Sequence, residues 1–281
     1  MNKVIHFLIL VFAAVSMLTA ASPKDRIQED VYRPAYFENK GQLYDQNKKP
    51  RPDILYFYGN KGLKIHLKQN SFSYELYREK KIPGVDIDKI SPEIDTRDFP
   101  ADTFFTRFDY KWHRIDVELP GAADAPKVTA KSPSEEYFNY YYAFLEKPAE
   151  DVRQYGKLLY HDVWPHIDMA FYTNSEGAPK YDFIIRPGGD INDIKLRYKG
   201  QNEIRASESS ITVETEFGPL QEEIPIAYYT NERGRRVRVD VRPVIDGNEL
   251  RFEAGEVPEG RVFVIDPFLI WGTYYGGGSQ E

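Results

Sequence analysis

Short alternating runs of apolar and polar residues, separated by Gly, Pro, Asn and Asp, dominate this chain. Ser71–Arg78 sets Phe72, Tyr74 and Leu76 against polar neighbours, which predicts a half-buried strand. Ile54–Tyr58 and Leu63–Leu67 are two more, joined by the hairpin signal Gly59-Asn60-Lys61-Gly62. Phe104–Leu119 has the same character. Tyr160–Tyr198 then reads as strand, turn, strand, Gly-rich turn, strand. Ile211–Glu216 and Leu220–Glu223 flank Phe217-Gly218-Pro219, and Ile224–Tyr229 extends the second of them. Arg235–Pro243 alternates arginine with valine as one strand. Asp246-Gly247-Asn248 turns it into Glu249–Ala254, and Val262–Ile265 follows, closed by a turn at Asp266-Pro267. No long segment has the 3.6-residue period of an amphipathic helix. The pattern therefore predicts an all-β fold of antiparallel, sandwich-type sheets, as one module or as two packed β subdomains, with little helix.

Two segments break the rhythm. Glu79–Asp102 is rich in proline and acids and reads as a solvated loop, because no Ca²⁺-loop spacing occurs in it. Pro133–Phe144 is dense in aromatics, and Ser134 followed by Glu135 and Glu136 suits the cap of a short helix. Its rings read first as a wedge between sheets, with a sugar-stacking platform as the alternative.

Composition narrows the function. The 281 residues include 21 Tyr and 17 Phe, enough aromatic material for a large β core. The net charge of −7 without a basic block excludes nucleic acid as the expected partner. There is no cysteine, so disulfides, thiol catalysis and a lipidated export signal are excluded. Met1–Ala21 has a basic Lys3, an apolar run from Val4 to Leu18 and small residues at Thr19-Ala20-Ala21, the pattern of a cleaved secretory signal. That run of 15 residues is short of the roughly 20 that a spanning helix needs, so no membrane insertion is expected after cleavage. The reading is an exported protein, extracellular, cell-surface or periplasmic. Its parts are a signal peptide (1–21), a flexible lead (22–33), a β-rich module (34–267) and the start of a further repeat (268–281).

Four blocks carry a family resemblance: FENKGQ at 37–42, VWPHIDMAFY at 163–172, KYDFIIRPGGDINDIKLRYKG at 180–200 and VIDPFLIWGTYYGGGS at 264–279. Together they resemble the N-terminal module, a domain of unknown function, of secreted bacterial proteins bearing SBBP β-propeller repeats. WGTYYGGGS is similar to the opening of a first propeller repeat. The resemblance implies a large exported protein of Bacteroidetes-like bacteria, with propeller repeats, further Ig-like or PKD-like domains and a C-terminal sorting domain downstream. The chain then reads as a truncated or split gene product, or as a stand-alone leader module. His166 stands where similar proteins have Gly, and the resemblance supplies no catalytic residues.

Candidate chemistry is sparse. His161, Asp162, His166 and Asp168 crowd one segment, but histidines five apart in a strand face opposite sides, which disfavours a metal site. Glu222, Glu223 and Asp266 are the carboxylates a glycoside hydrolase would draw on, yet adjacent glutamates in a strand diverge. No nucleophile elbow, Walker A or dinucleotide motif occurs. The expectation is a non-enzymatic interaction or scaffolding module without catalytic, cofactor or metal residues. The alternatives are a carbohydrate-binding module and, third, a hydrolase. The residues expected to touch a surface polysaccharide or protein partner are Tyr140, Tyr141, Tyr142, Trp164 and His166.

Overall fold

The computed structural model describes residues 33, 35–60, 62–82, 84, 107–174, 177–208 and 210–270. The expected signal peptide, lead and repeat opening therefore lie outside the described residues, apart from the lead's last residue and the first three residues of the repeat. Most of the acidic loop 79–102 also lies outside them.

The alternation seen in the sequence becomes seventeen strands among the described residues. They are β1 (Tyr36–Glu38), β2 (Tyr56–Asn60), β3 (Leu63–Leu67), β4 (Ser71–Ile82), β5 (Arg107–Glu118), β6 (Lys127–Tyr140), β7 (Ala149–Trp164), β8 (Ile167–Thr173) and β9 (Pro179–Ile185). After a 3₁₀ turn at Ile191–Asp193 come β10 (Leu196–Lys199), β11 (Glu203–Ala206), β12 (Ser210–Glu214), β13 (Leu220–Thr230), β14 (Arg236–Val239), β15 (Val241–Asp246), β16 (Glu249–Ala254) and β17 (Phe263–Ile270). All their pairings are antiparallel.

The long strand β7 organises them. One edge carries β6. The other is shared, with Gln154 and Tyr155 pairing with β1 and Lys157–Trp164 pairing with β8. Two layers diverge from that edge. The first runs β1-β2-β3-β4-β5-β10-β16-β15. The second runs β8-β9-β17-β13, with β12 and β14 sharing the far edge of β13. β15 comes back close to β11 and β13, so the sheet nearly closes on itself. This is the expected antiparallel, sandwich-type arrangement drawn into a barrel.

Inward positions follow the two-residue period. Phe72, Tyr74 and Leu76 meet Phe171, Tyr181 and Phe183 from the facing layer. Phe72 contacts Phe171 at 5.5 Å and Tyr181 at 5.8 Å between ring centroids, and Phe183 reaches Phe252 at 5.8 Å. Most of the buried hydrophobic side chains among the described residues fall in one cluster.

Three local expectations are corrected. Pro133–Phe144 forms no helix; most of it lies in β6, where the register slips between Pro133 and Tyr137, and the Ser134 hydroxyl donates to the Glu136 carbonyl. Arg235–Pro243 is two strands, broken at Asp240, whose carbonyl accepts from the Gly255 N–H. Asp266-Pro267 is not a turn but lies inside β17.

Candidate functional site

The central stretch forms a corner of hydrogen-bonded polar groups. Pro165 and His166 turn β7 into β8, and His166 takes a positive φ of 61°. Proline presets the first turn position and the second is left-handed, a conformation that glycine adopts most readily. The imidazole lies against Gly188, whose own φ is +94°. Asp168 is buried and accepts from the Asp162 N–H at 2.8 Å and from Arg186 at 3.2 Å, while Arg186 also pairs with Asp162. His161 Nε2 lies 2.8 Å from the Thr129 hydroxyl and its Nδ1 is 3.9 Å from Asp168. That order of hydroxyl, imidazole and carboxylate resembles an acyl-transfer relay, but the second gap exceeds hydrogen-bond reach. Among the described residues no group of three or more His, Cys, Asp or Glu is placed to hold a metal.

Trp164 is not available to a ligand. It is 2 % exposed, and its indole N–H donates to the Pro120 carbonyl at 2.9 Å, tying the turn after β5 to the end of β7. The expectation that it stacks on a sugar is corrected: the register shifts between Tyr160 and Trp164, with Asp162 at a φ of 49°, and both Val163 and Trp164 are buried. Tyr140–Tyr142 and His166 do not converge either. They stand at opposite ends of β7, a strand of 16 residues that spans roughly 50 Å.

The aromatic segment is exposed rather than wedged between sheets. Tyr141 is 64 % and Tyr142 51 % exposed, and Tyr137, Phe138 and Phe144 are exposed beside them, while Tyr140 is half-buried. Tyr142 and Phe144 stack at 5.3 Å with planes 9° apart, Phe144 meets Tyr44 edge-on at 5.2 Å, and Tyr140 tilts against Tyr142. Phe138 continues onto Phe37, which stacks on Phe57 at 5.1 Å. Polar groups hold this patch. The Tyr141 hydroxyl donates to Glu150 at 2.9 Å, the Asp151 N–H donates to Asn139, and the Arg153 guanidinium lies over the Tyr137 ring.

The carboxylates a hydrolase would need are placed elsewhere. Glu222 faces the core and Glu223 faces out, as strand alternation requires. Glu222 accepts from the Tyr181 hydroxyl at 2.6 Å and the Tyr74 hydroxyl at 3.1 Å, with no exposed surface through which to meet a substrate. Burial raises its pKa, and the two tyrosine bonds oppose that rise. Asp266 sits outside the core. The register Ile265↔Phe183 and Phe268↔Lys180 sets it opposite Asp182, where Pro267 interrupts the ladder. Asp182 is nearly buried and accepts from the Tyr172 hydroxyl at 2.8 Å, and Asp266 pairs with Lys180 at 2.5 Å. Burial, and then the Asp266 charge, push Asp182 up to about 7. An open groove of about 530 Å³ beside β1, β2 and β6 is lined by Glu38, Arg51, Tyr56, Gln69 and Lys127 among others, with Glu38 its single carboxylate. Sequence reasoning named Asp266 and Glu222 but not Asp182, whose burial on an outward face leaves no mark in the pattern.

The blocks that carry the resemblance have structural work. In FENKGQ, the Asn39 side-chain amide donates to the Arg51 and Ile54 carbonyls at 2.8 and 2.7 Å, and Gln42 bridges the Lys40 N–H and the Glu38 carbonyl. In RPGGDIND, a Cβ on Gly189 would come within 3.0–3.1 Å of Ile185, Ile167 and the His166 carbonyl, and Asp190 accepts from the Asn192 N–H. These side chains close loops against the barrel. Residues 36–268 match the family described as Domain of unknown function (DUF7948). The chain belongs to this family. No curated protein and no solved structure matches the chain. The DUF7948 match takes in every strand from β1 to β16 and β17 as far as residue 268.

Proposed function

We propose that this DUF7948 domain is a non-enzymatic recognition module of an exported bacterial protein, holding a surface glycan on the aromatic patch at the β6–β7 hairpin. The observation that carries the reading is the exposure of Tyr141 and Tyr142 together with the parallel Tyr142–Phe144 pair. Contiguous exposed rings in a polar rim mark a contact surface. A sugar presents C–H faces to such rings and hydroxyls to the rim, where Glu150, Asp151, Arg153 and Lys40 stand. The interaction role first expected from the sequence thus becomes specific, and glycan is favoured over protein by the density of hydrogen-bonding groups around so few rings.

The same reading places the domain ahead of propeller repeats of the SBBP type in a Bacteroidetes-like bacterium, exported by the signal at Met1–Ala21. Its support is the four sequence blocks and the leader composition. Among the described residues no helix is long and apolar enough to cross a membrane.

A glycan array probed with residues 22–281 tests the site. The expected result is binding to one class of polysaccharide, weakened at least about tenfold by the double change Tyr142→Ala with Phe144→Ala at an unchanged melting temperature. Binding to no polysaccharide, or equal binding by the double variant, overturns the reading.

A further inference from the structure

The outer face of β9 and β17 brings an amine and two carboxyl groups together. Alternation along β9 sends Tyr181 and Phe183 to the core and Lys180, Asp182 and Ile184 to the other face. Asp266 lies opposite Asp182 in the ladder of β17 with β9, and Lys180 lies opposite Phe268. Lys180 is thus the diagonal neighbour of Asp266, a spacing that a lysine side chain spans. Its Nζ stands 2.5 Å from Asp266 Oδ1. That oxygen is buried, yet it makes no bond of full hydrogen-bond geometry among the described residues. The nitrogen therefore meets the carboxyl group off the hydrogen-bond axis.

The three groups are shielded although they lie on the outer face. The Lys180 and Asp266 side chains are 13 % and 24 % exposed, and Asp182 is nearly buried. Tyr172 lies on the β8 side. Its ring centre is 5.6 Å from the Lys180 ammonium and 5.3 Å from that of Lys157, and its hydroxyl donates to Asp182 at 2.8 Å. The half-buried pair Ile184 and Val264 is the next along the face, and Ile226 of β13 stands opposite Asp266 across the other edge of β17. Burial and the Asp266 charge push Asp182 up to about 7, so it holds a proton where an exposed aspartate has lost it.

An amine against a carboxyl group, with a protonated acid beside them and little water, is arranged for condensation to an amide. Contact supplies the effective concentration that this reaction lacks in water, and exclusion of solvent disfavours the reverse hydrolysis. Transfer of one proton inside the ion pair gives a neutral amine and a carboxylic acid. The Nζ lone pair then forms a bond to Cγ of Asp266, and the C=O electrons move onto its oxygen. As they return, the C–OH bond breaks, and the hydroxyl leaves as water with the proton of Asp182. Asp182 regains a proton from the nitrogen. One water is lost, nothing is oxidised or reduced, and no co-reactant is needed.

We propose that Lys180 and Asp266 condense into an isopeptide bond that ties β9 to β17, with Asp182 as the proton carrier. The inference does not rest on glycan binding. β17 is the strand in which the family match ends, at residue 268. A pull on the chain beyond it would load this bond once the residues past Asp266 had peeled from β13. Condensation removes the Lys180 and Asp266 charges together, and burial, the larger cause, still holds the proton on Asp182.

Intact mass spectrometry of the denatured full chain tests this, with its N-terminus read from a peptide map. The wild type is expected to be lighter than its sequence by one water. Trypsin should fail to cut after Lys180 and should yield a branched peptide joining Lys180 Nζ to Asp266 Cγ. Lys180→Arg and Asp266→Ala should both keep the full sequence mass. Asp182→Asn, sampled at intervals after synthesis, should form the branched peptide at least about a hundredfold more slowly than the wild type. A wild type of full sequence mass overturns the proposal. So does a loss of water that persists in Lys180→Arg, as a succinimide at Asp246-Gly247 would produce, or a branched peptide that forms as fast in Asp182→Asn. Matching far-ultraviolet spectra for every variant keep a folding defect from passing as a missing bond.

Discussion

A carboxyl group without solvent contact persists in a core only where hydrogen bonds replace water, and at Glu222 two tyrosines do so. Tyr181 and Tyr74 each donate one bond to it, while the buried Tyr198 hydroxyl, beside Tyr181, makes no bond of full hydrogen-bond geometry among the described residues. Two chemically equal substitutions should therefore behave differently. Tyr181→Phe removes a 2.6 Å bond to a buried acid and is expected to cost about 1.5–3 kcal/mol. Tyr198→Phe deletes a polar atom that makes no such bond and is expected to stay within about 0.5 kcal/mol of wild type, or to stabilise. Urea midpoints at constant m-value measure both, and equal losses would show that the network does not discriminate as the geometry implies. The inward course of Glu222 was legible in the sequence once Leu220 was placed in the core. Which hydroxyls would reach it was not, because Tyr74 and Tyr181 come from strands 148 and 41 residues away.

At the scale of elements, Gly200, between β10 and β11, sits tightly against β5. Its φ is +94°, and a Cβ there would lie 2.4 Å from the Arg114 carbonyl of β5. His113 fixes the same crossing, its Nε2 lying 2.8 Å from the Gly200 carbonyl and its Nδ1 accepting from the Glu216 N–H. Gly200→Ala meets both a strained conformation and a backbone clash, and is expected to lose at least about 2 kcal/mol in chemical denaturation. Gly218→Ala, with a similar φ of +105° and nothing within 4 Å, should lose only the smaller conformational part. Hairpins such as β2–β3 and β15–β16 were legible because turn residues announce a local event. The ladder of β10 with β5 and the shared edge of β7 were not, since they depend on which distant strands meet. The β6 segment misled for another reason. Ser134 with two glutamates suits a helix cap, but its rings pack on none of the core and extend along β7 as an edge strand. The site followed suit: Tyr141 and Tyr142 emerged at the surface, while Trp164 proved structural, because nothing in Asp162-Val163-Trp164 announces the irregularity that buries two neighbours in turn.

For the whole molecule, two buried ionisable groups pull stability in opposite directions across the same pH range. Asp182 is held up at about 7, against an ordinary 3.8, chiefly by burial and then by Asp266; the Tyr172 hydroxyl, Lys180 and Lys157 oppose the rise. The folded protein keeps this proton where the unfolded chain has lost it, so its contribution is full below pH 3.8 and is lost as pH rises towards 7. His66 is held down at about 4, against 6.5, by burial and by Arg114, Lys64, Arg51 and Lys68 around it. Its contribution is full above pH 6.5 and is lost as pH falls towards 4. Either group alone gives a slope of up to about 1.4 kcal/mol per pH unit, and between pH 4 and 6.5 the two slopes oppose each other. The wild-type profile should therefore be flatter there than that of either variant. Asp182→Asn should gain stability relative to wild type as pH rises from 4 to 7, by an amount on the order of 2–4 kcal/mol. His66→Gln should gain relative to wild type as pH falls through the same window. Urea denaturation at half-unit steps measures these differences, from which groups common to both proteins, Glu222 included, largely cancel. A difference for Asp182→Asn that does not change with pH would mean that the carboxyl is already ionised in the folded protein, and that Lys180 and Lys157 outweigh its burial.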